Sequence, residues 1–362
     1  EVGILSPESR KYVTVPSTLN EIRLMTWITL RVSTKKICAL LFLVLVAPHY
    51  VYAKNTAYSD CVLDTVENSG DEMTATEIKA LCSAQTAKQE GEEEGVVEAR
   101  LEKDKKNTLE PFTIMSHRPN YVLLGAYNDK GYNAEPFREA TGDPNVELDD
   151  TEAQFQLSLK VPLGLNLFNR NVDVYGAYTV RSFWQVYNDE ESAPFRETNH
   201  EPEFWLQAYP GWELFGFQNS IFQLGINHQS NGRNDPLSRS WNRVFANFVL
   251  EKDNLALSFK PWARISEDEE DDDNPDITDF MGHFELRGAY KRNDHVFSLM
   301  SRNNLESGFD EGAFEASWSF PLGNWRYLKG YVQYFSGYGE SMIDYDQEVN
   351  RIGFGILLTD YL

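Results

Sequence analysis

From about Asn120 to the end of the chain, apolar and polar residues alternate with a period of two. That period belongs to strands with one apolar and one polar face. In "QFQLSLKVPL", Phe155, Leu157, Leu159, Val161 and Leu163 share one parity, and Gln154, Gln156, Ser158 and Lys160 take the other. "NLALSFKP" sets Leu255, Leu257 and Phe259 against Ser258 and Lys260. "AFEASWSF" and "RIGFGILL" repeat the alternation further on. The pattern predicts twelve strands, near 119–128, 152–163, 172–187, 201–210, 213–228, 241–252, 254–265, 279–291, 294–303, 311–320, 324–337 and 350–362. Connectors after even-numbered strands are mostly short, as in "KDN", "KRND" and "PLGN". Those after odd-numbered strands include the longer polar stretches 129–150, 188–200, 229–240 and 266–278. An even number of strands of about ten residues, with short turns at one end and long loops at the other, suits a single-chain transmembrane barrel. The expected fold is therefore all-β, a 12-stranded antiparallel transmembrane β-barrel over residues 111–362. Strands cross lipid only in a closed barrel, where every backbone N–H and C=O finds a partner. On this reading the chain starts and ends on the periplasmic side, and the 229–240 connector lies at the outer face. A secreted sandwich is the alternative.

The segment ahead of the barrel has a different texture. "ICALLFLVLVA", Ile37 to Ala47, is too short to span a bilayer as a helix. It follows Lys35 and Lys36 and precedes "VYA", Val51 to Ala53, with small residues at the −3 and −1 positions of a cleavage site. Residues 25–53 therefore read as a secretory signal peptide starting at Met25, and 1–24 as an upstream extension or mis-called start. Residues 54–110 read as an acidic N-terminal periplasmic extension and linker, with a short helix near 75–85. Cys38 lies within the signal, which leaves Cys61 and Cys82 in an exported chain. A disulfide between them would stabilise the segment by roughly 3 kcal/mol. The alternative is two free thiols.

Composition sharpens this picture only in part. Aromatic residues make up 13% of the 362 residues, while mean hydropathy is −0.47. A polar average with many aromatics fits a barrel with a polar lumen, and equally a soluble sandwich. The net charge of −23 argues against a nucleic-acid partner, which needs clustered Lys and Arg. The acidic runs "EGEEEG" and "SEDEEDDDNPD" read as solvated loops rather than cation sites.

Candidate chemistry lies on one hairpin, "SIFQLGINHQS…NRVFANFVL". Phe222, Leu224, Ile226, His228 and Ser230 share a parity, so His228 and Ser230 lie on the apolar face, which in a barrel meets lipid. Asn242 shares the apolar parity of the next strand with Val244, Ala246 and Phe248. If 228 pairs with 242, the three side chains cluster on the outer wall. An interfacial polar girdle is one reading. The other is a nucleophile (Ser230), a base (His228) and an orienting amide (Asn242). A site there receives only substrates already in the membrane, which points to lipid.

Over Pro111 to Leu362 the sequence resembles the outer membrane phospholipase A family. The resemblance is carried by "SAPFRETN" (192–199), "NHQSNGRNDPLSRSWNR" (227–243), "DDNPDI" (272–277) and "YGESMIDYDQ" (338–347). It implies a calcium-dependent phospholipase A1/A2, with lysophospholipase activity, in the outer membrane of a Gram-negative bacterium. The enzyme would be active as a homodimer, surrounded by outer-membrane lipids, with its active site towards the outer leaflet. It makes Ser230 the nucleophile, His228 the base and Asn242 the orienter. The N–H of Gly232, with calcium-bound water, would stabilise the oxyanion. The Ca2+ ligands would be the Arg233 carbonyl, the Ser238 hydroxyl and the carbonyl of Ser192 of the partner subunit. The family has a Gln on the dimer surface where this chain has Val180, which removes a hydrogen bond from that surface. A diffusion pore plugged by inward charges such as Arg181, Lys260, Glu285 and Arg287 is the runner-up. A lipid A deacylase is the third reading.

Overall fold

A computed structural model of the chain describes residues 61–62, 65–66, 74, 76–79, 81–82, 95–108, 114–167, 171–190, 193–268, 270, 272–303, 307–308 and 310–362. The signal peptide, the upstream extension and Ser192 lie outside the described residues.

The period-2 stretches become strands because their two faces meet different surroundings. The barrel strands are β2 (Asn120–Asn128), β3 (Thr151–Leu167), β4 (Val172–Trp184), β5 (Phe195–Ala208), β7 (Phe217–Ser230), β8 (Ser240–Lys252), β9 (Leu255–Ile265), β10 (Phe284–Arg292), β11 (His295–Asn303), β12 (Gly312–Leu322), β13 (Trp325–Gly337) and β14 (Val349–Thr359). Each pairs antiparallel with the strands before and after it, and β14 pairs with β2, so the sheet closes. Two-residue strands sit beside this ring: β1 (Met115–Ser116) on β3 and β6 (Glu213–Leu214) on β7. On β3, Leu157, Leu159, Val161 and Leu163 are 41–56% exposed, whereas Gln154 and Ser158 are fully buried. Here the polar parity is inside and the apolar parity outside, the inverse of a soluble sandwich, and this settles the lipid-facing barrel.

The lumen is filled by charge pairs. Arg118 binds Glu201 at 2.6 and 2.9 Å and Glu203 at 2.7 Å. Lys260 binds Glu203 at 2.8 Å, Arg243 binds Glu201 at 3.1 Å, and Arg287 binds Glu285 at 3.1 Å. The space left among them is a cavity of about 340 Å³.

Four elements depart from the sequence reading. Residues expected as linker form a helix, α1 (Val96–Thr108), whose Val96 and Val97 pack on Ala256. The Glu251 carboxylate accepts the Val97 N–H at 2.8 Å and the Glu98 N–H at 3.3 Å, so a barrel residue caps the helix. Asp104 reaches Lys160 at 2.6 Å, placing α1 in one mouth of the barrel. At the other mouth, the residues expected to open the eighth strand form α3 (Ile277–Met281), with Ile277 and Met281 buried. A short helix, α2 (Glu135–Thr141), interrupts the first long loop. β5 begins six residues earlier than expected, because Arg196, Glu197 and Asn199 are polar residues turned into the lumen. Residues 76–79 and 81–82 are helical, and Cys61 and Cys82 are joined by a disulfide.

Candidate active site

The β7–β8 hairpin sets the site. His228 lies opposite Asn242 and Ser230 opposite Ser240, the register that the clustering of the three side chains requires. Around them Leu224 and Ile226 are exposed while Asn227, Trp241 and Arg243 are buried, so His228, Ser230 and Asn242 stand on the outer wall. β7 can lie close to its neighbours because Gly225 has no side chain: a Cβ there would meet the Phe204 carbonyl oxygen at 2.4 Å and Trp205 at 2.7 Å.

His228 Nδ1 donates to Asn242 Oδ1 at 2.9 Å. This fixes a proton on Nδ1, so that in the neutral ring Nε2 carries the lone pair; Ser230 stands two residues along the same face. No hydrogen bond joins Ser230 Oγ to His228 among the described residues. The Asn242 amide also donates through Nδ2 to Glu267 at 2.7 Å. Sequence reading missed this residue: it belongs to the acidic run taken as solvated loop.

A second residue that sequence reading missed is His200. It faces Ser230 across β5 and β7, and its Nδ1 is 2.6 Å from the Tyr178 hydroxyl. Parity along β5 places it on the outer wall, but only the strand register places it beside Ser230. Val180 lies next to it, opposite His200 on β4.

Gly232 follows β7 with φ of +64°, a left-handed conformation that a side chain would strain. The loop it opens is held by Asn231. The Asn231 side chain donates to the Leu237 carbonyl at 2.7 Å and accepts the N–H groups of Arg233 at 3.2 Å and Arg239 at 3.1 Å. The Arg233 guanidinium donates to the Phe195 and Arg196 carbonyls, both at 2.9 Å. Its own carbonyl accepts no hydrogen bond among the described residues. The Ser238 hydroxyl donates to Asp273. A carbonyl, a hydroxyl and a carboxylate on this loop and its neighbour are hard oxygen donors, whose chemistry fits calcium rather than a soft metal. No cluster of three or more His, Cys, Asp or Glu side chains is placed to hold a metal among the described residues.

The four motifs quoted for the resemblance meet at this end of the barrel. Asn199 and Glu197 accept the Met342 and Ile343 N–H groups at 3.1 and 3.2 Å. Asn274 accepts the Ser240 N–H at 2.9 Å, and Tyr345 donates to Asp276. Three acids of the run are thus bound at the site rather than free in solvent: Glu267 binds Asn242, Asp272 binds Arg264 at 2.6 Å, and Asp273 binds Ser238, while Asp268 and Glu270 are exposed.

A closed twelve-stranded barrel with an apolar exterior and a charged, polar lumen is a transmembrane barrel of outer-membrane type. The chain matches the phospholipase A1 family over residues 97–358 and belongs to it. The match begins inside α1 rather than at Pro111, so α1 is part of the family's domain. Phospholipase A1 of Klebsiella pneumoniae is 37% identical over 266 residues, 74% of this chain and 88% of that protein. The structure of outer membrane phospholipase A from Escherichia coli superposes with a TM-score of 0.64 at 36% identity, over 69% of this chain and all of that one. The Salmonella typhi outer membrane phospholipase dimer with bound calcium also gives 0.64 at 36% identity, over 71% of this chain and 97% of that one. The protein is an outer-membrane phospholipase. Membership decides against both the pore and the lipid A deacylase.

Proposed function

We propose that this phospholipase cleaves the acyl ester bonds of membrane phospholipids by a Ser230–His228–Asn242 triad on the outer wall. The reading extends to A1, A2 and lysophospholipase activity, since a site on the outer wall meets the bilayer side-on, where both acyl esters of a phospholipid lie. The observation that carries it is the 2.9 Å bond from His228 Nδ1 to Asn242 on a lipid-facing surface, where unfunctional polar groups are costly.

His228 Nε2 takes the Ser230 proton as Oγ bonds to the acyl carbon. The Gly232 N–H lies on the loop directly after Ser230 and donates to the oxyanion. The tetrahedral intermediate collapses, the ester C–O bond breaks, and His228 returns the proton to the leaving alcohol. Water then attacks the acyl-serine with His228 again as base, releasing the fatty acid and restoring Ser230. Asn242 keeps the imidazole in one tautomer throughout and accepts from the imidazolium. Ca2+ would be held by the Arg233 carbonyl and the Ser238 hydroxyl, with the carbonyl of Ser192 of the partner subunit, and supplies positive charge for the oxyanion. The active form is a homodimer, supported by the calcium-bound dimer of the Salmonella relative. The long-loop end, where the site lies, faces the outer leaflet. Val180 stands on the surface that would meet the partner and contributes apolar contact there in place of a hydrogen bond.

The test is fatty-acid release from phospholipid mixed micelles by the refolded chain, with calcium or EDTA, beside Ser230→Ala. Release that needs calcium and is lost in the variant is the expected result. A folded Ser230→Ala barrel with full activity would end this reading.

A further inference from the structure

We infer that Glu267 is a fourth, positioning member of the site, supplying the negative charge that a neutral asparagine orienter lacks. The inference rests on the triad reading above. It starts from a row of residues across three strands: His228 pairs with Asn242 on β8, and Asn242 pairs with Ile265 on β9. β9 ends at Ile265, and Glu267, two residues on in the loop that follows, completes the row by its contact with Asn242. Its Oε1 accepts the Asn242 Nδ2–H at 2.7 Å, while Asn242 Oδ1 accepts the His228 Nδ1–H at 2.9 Å.

An amide is nearly symmetric in shape, and either end can turn towards the histidine. With the amide reversed, the Asn242 oxygen would face a carboxylate that can only accept, and two acceptors repel. Glu267 therefore selects the orientation in which the amide oxygen meets His228. That orientation selects the Nδ1–H tautomer and leaves Nε2 as the base. A charge-assisted hydrogen bond also polarises the amide, so its oxygen binds a developing imidazolium more strongly than an isolated amide does. In a Ser–His–Asp triad the carboxylate touches the imidazole directly. Here the carboxylate stands one amide further out.

The loop carrying Glu267 is tied at several points, which keeps the carboxylate in place. Arg264, just ahead of it, binds Asp272 at 2.6 Å and the Pro275 carbonyl at 2.9 Å. Asp273 receives the Ser238 hydroxyl, and Asn274 accepts the Ser240 N–H at 2.9 Å, two residues before Asn242. Glu267 itself is half-buried against this surface.

The experiment compares wild type, Glu267→Gln, Asn242→Asp, the double variant and Ser230→Ala, as full-length folded barrels, on phospholipid mixed micelles. Glu267→Gln exchanges a charge-assisted bond for a neutral one, so kcat falls about tenfold while KM holds. Asn242→Asp alone places two carboxylates side by side and loses about tenfold or more, although an aspartate is the usual orienter. The double variant reverses the donor and acceptor, with the introduced amide donating to the introduced carboxylate, and returns kcat to within about threefold of wild type. A loop-anchoring role alone would lower stability without this rescue. Wild-type kcat in Glu267→Gln, or a double variant no better than Asn242→Asp, overturns the inference. An active Ser230→Ala instead overturns the triad reading on which it rests, so the two failures are told apart.

Discussion

Arg196→Met tests how the long-loop end of the barrel is held over the site. Arg196 is 1% exposed and lies between two buried acids. It grips Glu152 in bidentate fashion at 2.9 and 3.0 Å, and its other nitrogen donates to Asp344 on the 338–348 loop. Its guanidinium also stacks 4.0 Å from the centre of the Tyr132 ring. Its backbone carbonyl and that of Phe195 receive Arg233, the residue whose own carbonyl is proposed for calcium. Charges about 4 Å apart at an effective dielectric near 20 attract by about 4 kcal/mol. Breaking a buried pair by removing one partner costs about 3–5 kcal/mol, because the other charge stays behind. That is roughly two to three and a half orders of magnitude in the folding constant. Burial pushes the Asp344 carboxyl above its ordinary range, and Arg196 opposes that rise. An acid raised in the folded state binds its proton more tightly folded than unfolded, so its contribution to stability declines as pH rises through that window. Without Arg196 the window widens upward, and the variant's deficit narrows as pH falls. Urea titration of folding into lipid vesicles, read by tryptophan fluorescence and gel mobility, measures this. A variant within about 1 kcal/mol of wild type at high pH, or a deficit that grows on acidification, would refute the reasoning.

Three further outcomes follow from the geometry. Glu251→Ala removes the cap of α1 and leaves its first N–H groups in a buried setting, so it costs about 1–2 kcal/mol and speeds proteolysis within 96–108. Leu299→Arg puts a charge in the middle of β11 on the lipid face, where Leu299 is 55% exposed. It costs about 2–4 kcal/mol of folding in bilayers, and its effect is much smaller in detergent. Reducing the Cys61–Cys82 disulfide leaves hydrolysis unchanged and accelerates cleavage between the two positions, because both cysteines lie ahead of the residues 97–358 that match the family; a parallel loss of activity would show that this segment acts on the site.

The barrel was legible because lipid outside and charge inside impose alternation on every strand. Leu157 to Leu163 on one parity and Gln154 and Ser158 on the other admit one orientation. The same alternation placed His228, Ser230 and Asn242 on one wall. What it could not show depends on neighbours far apart in sequence. Glu267 looked like part of a solvated run, since nothing local reveals that Ile265 pairs with Asn242. His200 was likewise invisible beside Ser230 without the β5–β7 register. α1 read as linker because its polar face dominates its composition, and its fold depends on Glu251 and Ala256, which lie more than a hundred residues away. The start of β5 was missed because Arg196, Glu197 and Asn199 are polar residues that point inward, where alternation gives no apolar signal.

The measurement closest to the central claim is covalent trapping of the nucleophile. A long-chain alkyl sulfonyl fluoride, presented in micelles to the folded protein with calcium or EDTA, would be followed by peptide mass mapping. The account predicts one adduct, on Ser230, formed with calcium and absent in His228→Ala. An adduct on another serine, or none at all on a folded, calcium-loaded dimer, would contradict it.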